Sequence, residues 1–191
     1  MHTCCAPCSV YCIERLKELN IEVETYWYNP NIHPYKEYKT RLDTFIEYMQ
    51  SINVNFIVED IYGLDEFVKQ TITDLQHRCQ NYCYRVRLEK TAKYAKEHNY
   101  DAFSTTLLVS PYQNHNLLKQ MGEEIGKKYG INFLYEDFRI GFAIGQEKAR
   151  ELGLYMQKYC GCIFSEENII LTHTNEKPKL PDGFEFLPVK K

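Results

Sequence analysis

No stretch of this 191-residue chain is apolar over the roughly 20 residues needed to cross a bilayer, so a membrane partner is not expected. The first residues, MHTCCAPC, lack the basic stretch and long apolar core of a secretory signal, and the expected location is cytoplasmic. An excess of positive charge is missing too. Lys and Arg number 23 against 26 Asp and Glu, a formal net charge of −3, which excludes a globally basic nucleic-acid coat but not a local basic face. Internal repeats and low-complexity segments are absent. With 44% apolar and 26% charged residues, the composition is that of a globular protein and not of a disordered one. The length suits one compact domain, taken as residues 1–170, with an irregular tail at 171–191 that is polar and holds three prolines.

Cysteine is what the chain has in quantity. Its eight cysteines fall in three tight groups: Cys4, Cys5, Cys8 and Cys12, then Cys79 and Cys83, then Cys160 and Cys162. Adjacent cysteines and a Cys-Gly-Cys pair are poorly placed to bond to each other, so a disulfide framework ranks below metal ligation. Several thiolates meeting one metal centre suits the spacing, with Gly161 allowing a tight turn.

Hydrophobic patterning alternates strand and helix. Strands are expected at Met1–Thr3, Glu22–Tyr28, Asn55–Val58, Asp101–Ser104 and Asn132–Tyr135. Helices are expected at Cys8–Glu18, Tyr35–Ser51, Leu64–Lys69, Tyr82–Glu97, Gln113–Tyr129 and Phe142–Leu152. Such repeated units predict an α/β fold, a mainly parallel Rossmann-like sheet flanked by helices. Ligands in these folds bind beyond the carboxyl ends of the strands. CCAPC, NPNIHP and STTLLVSPYQ each follow a strand, so a Cys-rich metal site is expected where those loops converge.

An ordered set of motifs then carries a resemblance. HTCCAPCS at 2–9, YNPNIHPYKEYKTR at 28–41, RC…CYRVRLEKTAKYA at 78–95, DAFSTTLLVSPYQ at 101–113, EDFR at 136–139 and GLYMQKYCGCIFS at 153–165 span most of the chain. In this order they resemble the cobalamin-independent epoxyqueuosine reductases (QueH). The chain departs from that pattern in two places. Three residues separate Cys79 from Cys83 where two are usual, and Met156 stands where the family usually has Arg.

The resemblance implies a 4Fe–4S cluster, one additional iron ion, tRNA carrying epoxyqueuosine in its anticodon loop, and an external electron donor. Cluster and iron together need about seven thiolate-type positions by the usual ligand counts. Cys4, Cys5, Cys8, Cys79, Cys83, Cys160 and Cys162 supply seven, with Cys79 and Cys83 assigned to the cluster and the other two groups bridging the region of both metals. Cys12 lies one helical turn past Cys8 and is read as a buried, small apolar residue.

Three residues are assigned to catalysis. His33 either protonates the leaving oxygen or holds its loop; Asp137 ligates iron, orients a donor or pairs with Arg139; Tyr112 donates a proton or stacks on the base. Tyr28, Asn29, Arg41, Arg87 and His115 are assigned to substrate or RNA. Arg78, Arg85, Arg87, Lys90 and Lys93 form one basic group, and Lys36, Lys39 and Arg41 another; each is either an RNA contact or a solvated face.

Three rival classes remain. A zinc-stabilised, non-catalytic RNA-binding module would use four ligands in paired spacing and leave too many cysteines over. An ATP-activating tRNA enzyme would need a phosphate loop after the first strand, where CCAPCS has no glycine and a proline instead. A thiol–disulfide oxidoreductase would need one exposed pair of low pKa.

Overall fold

A computed structural model describes residues 1–174; the rest of the expected irregular tail lies outside the described residues. Eleven regular elements position the site: α1 (Ala6–Glu18), β1 (Thr25–Trp27), α2 (Tyr35–Ser51), β2 (Phe56–Val58), α3 (Leu64–Thr71), α4 (Arg85–Glu97), β3 (Ala102–Phe103), α5 (His115–Tyr129), β4 (Asn132–Phe133), α6 (Phe142–Glu151) and α7 (Ile163–Thr174). No helix among the described residues is long and apolar enough to cross a membrane.

Five of the helices end in one way. Asn20, Asn53 and Asn99, and Gly130 and Gly153, each adopt positive φ just past α1, α2, α4, α5 and α6. The next residue (Ile21, Val54, Tyr100, Ile131 or Leu154) then donates its N–H back to a carbonyl of the last helical turn. Asn and Gly tolerate the left-handed conformation this closure needs, and of the residues after them Val54 and Ile131 are buried. After α1, α2, α4 and α5 the chain then runs into the next strand.

The α/β class is as expected, with helix predominating. In place of one long sheet, β1 pairs with β2 and β3 with β4, both parallel, in two small sheets. Residues 1–3 lie between them. His2 N–H donates to Ser104 O and Thr106 N–H to His2 O on one side, while Thr3 N–H donates to Tyr26 O and Tyr26 N–H to Met1 O on the other. The strands are shorter than the patterning predicts, at two or three residues each.

Two differences at helix starts bear on the site. The helix expected from Tyr82 begins at Arg85, and Cys79–Tyr84 before it winds as a π-helix. The one expected from Gln113 begins at His115, because Asn114 Oδ1 accepts from Leu117 N–H and caps it. α7 was not anticipated, and it carries helical backbone through Thr174.

Two cores flank α1. One joins Leu16, Leu88, Phe103, Leu108, Leu118, Ile125 and Phe138; the other joins Val10, Trp27, Tyr38, Leu42, Phe45 and Met49. α1 is therefore buried along most of its length, and the cysteines at its N-terminus are fixed from both sides.

Candidate metal centre

Three strand-end loops are tied together by one buried imidazole. His2 Nδ1 lies 2.8 Å from Thr105 Oγ1 and Nε2 lies 3.1 Å from Asn29 Oδ1. Asn29 uses its amide N–H on Thr3 O, 2.9 Å away, so its oxygen faces His2 and Nε2 is the donor. Burial, reinforced by the Arg87 charge, pulls His2 down to about 3 and keeps it neutral. The expected substrate contact Asn29 is thus itself fully buried, holding the loop after β1 to the segment before Cys4.

Cys4 and Cys5 follow directly, and Cys8 lies on the first turn of α1. Their sulfurs all lie within 4.8 Å of one another, with exposures of 8%, 1% and 8%. Cys4 and Cys5 Sγ are 3.7 Å apart. Hydrogen bonds from Cys5 and then Cys8 hold the Cys4 thiol well below the usual range. Burial pushes Cys5 up, and its bonds to Cys4 and Cys5 push Cys8 up. The first thiol to ionise thus opposes ionisation of the other two, and a soft cation is what would let all three ionise together. The trio is a donor set that could hold a metal ion.

Other donors reach the sulfurs. Thr106 hydroxyl donates to Cys4 Sγ (3.4 Å) and accepts from Cys4 N–H (3.1 Å). Gln157 Nε2 donates to Cys5 Sγ at 2.9 Å and to Cys8 Sγ at 3.6 Å. Cys12 is fully buried behind them and donates to Cys8 O.

The second group sits on the π-helix. A π turn is wider than an α turn, and both Cys79 and Cys83 lie within it. The bond from Cys83, helped by Arg78 and Arg87, holds Cys79 at about 6; the same bond and burial push Cys83 up. Cys83 packs with Cys162, Tyr82 and Phe67.

The third group is a strap. Gly161 takes a φ of +147°, and a Cβ there would meet Ile32 Cγ1 at 3.2 Å. Arg41 Nη1 and Nη2 donate to the carbonyls of Cys160 (3.0 Å) and Tyr159 (2.9 Å). Tyr159 hydroxyl donates to His33 O (2.6 Å), and His33 N–H donates to Gly161 O (2.8 Å). Cys160 is exposed and receives Gln113 Nε2 at 3.6 Å, while Gln113 Oε1 accepts from Tyr84 hydroxyl. Among the described residues, only Cys4, Cys5 and Cys8 converge as a trio.

The remaining assigned residues are placed as follows. Arg41 and Arg87 are 2% and 1% exposed; Arg87 Nε donates to Cys83 O. Neither guanidinium stands on the surface where the basic groups were expected to meet RNA. His115 begins α5 and its Nε2 lies 3.0 Å from Ser110 O. Asp137 is paired with Arg139, whose hydrogen bonds hold its carboxyl at about 2. Tyr112 is 84% exposed, and Tyr28 is half-buried beneath Lys90. Gln157, Gln113, Thr106 and His2 were not anticipated as site residues, although each lies within one of the motifs.

His33 is buried at 1% exposure between Tyr62 and Phe67, and neither ring nitrogen makes a well-formed hydrogen bond within the described residues. Burial lowers it from 6.5 to about 4. The unfolded chain therefore binds the proton more tightly between those values. Stability from this residue is full above pH 6.5 and is lost as pH falls toward 4. The loss is on the order of 2 kcal/mol, discounted for solvent screening. Urea unfolding of the metal-free protein at both ends of that window should show it, and His33→Phe should flatten the slope; an unchanged slope would refute this.

Fold and site together define an α/β protein built around buried thiols of metal-binding chemistry. Its family is specific. The family described as epoxyqueuosine reductase QueH matches residues 1–168, and the chain belongs to this family of oxidoreductases. It is 36% identical over 166 residues to the epoxyqueuosine reductase QueH of Dehalococcoides mccartyi, covering 87% of this chain and 91% of that one. Against the Thermotoga maritima protein of the same name identity is 34%, covering 86% and 88%. Against that of Staphylococcus aureus it is 32%, covering 94% and 80%.

Proposed function

We propose that this chain reduces the epoxide of epoxyqueuosine in the anticodon loop of tRNA, giving queuosine. The observation that carries this reading is the convergence of the Cys4, Cys5 and Cys8 sulfurs at the N-terminus of α1, in a chain of this family. Reduction of an epoxide to an alkene consumes two electrons and two protons and releases water. A 4Fe–4S cluster and an adjacent iron, when bound, would deliver electrons singly and polarise the epoxide oxygen. The seven cysteines Cys4, Cys5, Cys8, Cys79, Cys83, Cys160 and Cys162 are the residues that would hold them. An external reductant would supply the electrons, and the cytoplasm, where tRNA is found, is the expected site of action.

The chain's own residues supply binding and charge balance. Arg41 and Arg87 are buried among carbonyls and thiols, so we assign them to offsetting thiolate charge and fixing backbone, in place of RNA contact. Asp137, held ionised by Arg139, orients a neighbour more readily than it donates a proton. His33 holds the strap through its backbone. His115 fixes the Ser110 carbonyl ahead of Tyr112. Tyr112 has the most open ring of the assigned residues, and we give it stacking on an unpaired base; Tyr28 lies deeper. The order β4, β3, residues 1–3, β1, β2 supports reading the two small sheets as parts of one Rossmann-like sheet within a single domain over 1–170.

Tyr112→Ala should weaken tRNA binding by about 1–3 kcal/mol, read as a raised KM, with little change in stability because the ring is exposed. An unchanged KM would remove the stacking role. The function itself is tested on anaerobically purified protein by metal and sulfide analysis, then by nucleoside mass spectrometry after incubation with epoxyqueuosine tRNA and a reductant. About five irons and four sulfides per chain, with queuosine formed, are expected. Zinc alone, no sulfide and no conversion after reconstitution would leave the zinc-stabilised RNA-binding module.

A further inference from the structure

We propose that Gln157 sets the electron-donating strength of the Cys4, Cys5 and Cys8 sulfurs, and so the reduction potential of the metal they hold, through its amide N–H groups. The inference rests on the metal–thiolate reading of that trio. Gln157 Nε2 reaches two of the three sulfurs, at 2.9 Å from Cys5 and 3.6 Å from Cys8. The third, Cys4, receives the Thr106 hydroxyl. Each sulfur of the trio therefore has a donor that is not another sulfur.

The orientation of the amide follows from the chemistry. Turned over, it would aim the lone pairs of Oε1 at an electron-rich sulfur, so the nitrogen faces inward. Oε1 then lies buried without a hydrogen-bond partner among the described residues. An amide kept in place with its acceptor unpaired is held for its donor. Gln157 is not placed as a ligand, since an amide N–H offers no lone pair to a metal. It reaches the trio from across the fold, 152 residues on from Cys5 and just ahead of the Cys160–Cys162 strap. N–H bonds to a thiolate draw electron density from the sulfur and favour the reduced, more negative state of the metal.

Cobalt(II) is a suitable probe because its thiolate charge-transfer band reports sulfur electron density without iron, sulfide or substrate. Full-length protein, Gln157→Leu and Gln157→Glu are loaded anaerobically with cobalt. Both variants should bind as much cobalt as the parent, with the band at lower energy in Gln157→Leu and lower still in Gln157→Glu, where a carboxylate replaces the donor. After iron–sulfide reconstitution, the one-electron reduction equilibrium should shift about tenfold toward the oxidised state, a midpoint about 59 mV lower. Gln157→Glu is isosteric and keeps the test available if the leucine variant misfolds. Band and midpoint unchanged in the variants would overturn the proposal while leaving the metal site standing. Loss of cobalt from Gln157→Glu would overturn it in favour of a structural support. A parent without a cobalt–thiolate band would overturn the metal-site reading as well.

Discussion

Cys5→Ala should leave the protein folded while removing metal from the trio and abolishing epoxide reduction. Cys5 is 1% exposed, and it stands at the N-cap of α1 without any side-chain capping bond, so a methyl group fits its place and no cap is lost. What disappears is one of three converging sulfurs and the acceptor of the Gln157 amide. Loss of an outer-sphere partner typically lowers metal affinity or activity about 10–100-fold, and loss of a ligand should exceed that. Metal content per chain and queuosine formation are the readouts. Cys12→Ala is the control. It too is fully buried on α1 and loses a bond to Cys8 O, so it should cost stability, on the order of 1 kcal/mol, yet retain the metal. Parent-like metal content and turnover in Cys5→Ala would remove the trio from the mechanism.

Arg41→Met should destabilise the protein by about 3–5 kcal/mol, the usual result of breaking a buried ion pair from one side. Arg41 bonds Glu37 at 2.7 Å, with side-chain exposures of 1% and 11%. The substitution leaves Glu37 with Tyr155 hydroxyl as its remaining hydrogen-bond partner, and strips the carbonyls of Tyr159 and Cys160 of their donor. For a chain of this size the melting temperature should fall by on the order of 10 °C. Arg41→Lys keeps the charge but not the planar fork, so it should fall between the two. A contact to RNA would behave oppositely: a Met variant as stable as the parent with a raised KM for tRNA would return Arg41 to the surface role.

Much of the site was legible because its parts are local. The three cysteine groups are contiguous, and the loops that carry two of them follow strand and helix patterns readable from periodicity. α2 runs over Tyr35–Ser51 as the pattern predicts. The helix ends were readable in principle, since Asn or Gly followed by an apolar residue recurs at five of them. The π-helix was not, because periodicity distinguishes a helix from a strand but not one helical pitch from another over six residues.

The sequence by itself determined the chemistry of this protein: its thiol inventory, the α/β alternation that sends loops to one end, and the motif order that identifies its family. Those depend on residue type and short-range spacing. Only the tertiary structure decided which thiols converge, and that Arg41 and Arg87 lie in the interior and not on the surface. It also brought Gln157 to Cys5 from 152 residues away and Arg41 to Cys160 from 119. Such pairings come from packing two cores around α1, and a contact between residues so far apart leaves no pattern in the sequence near either of them.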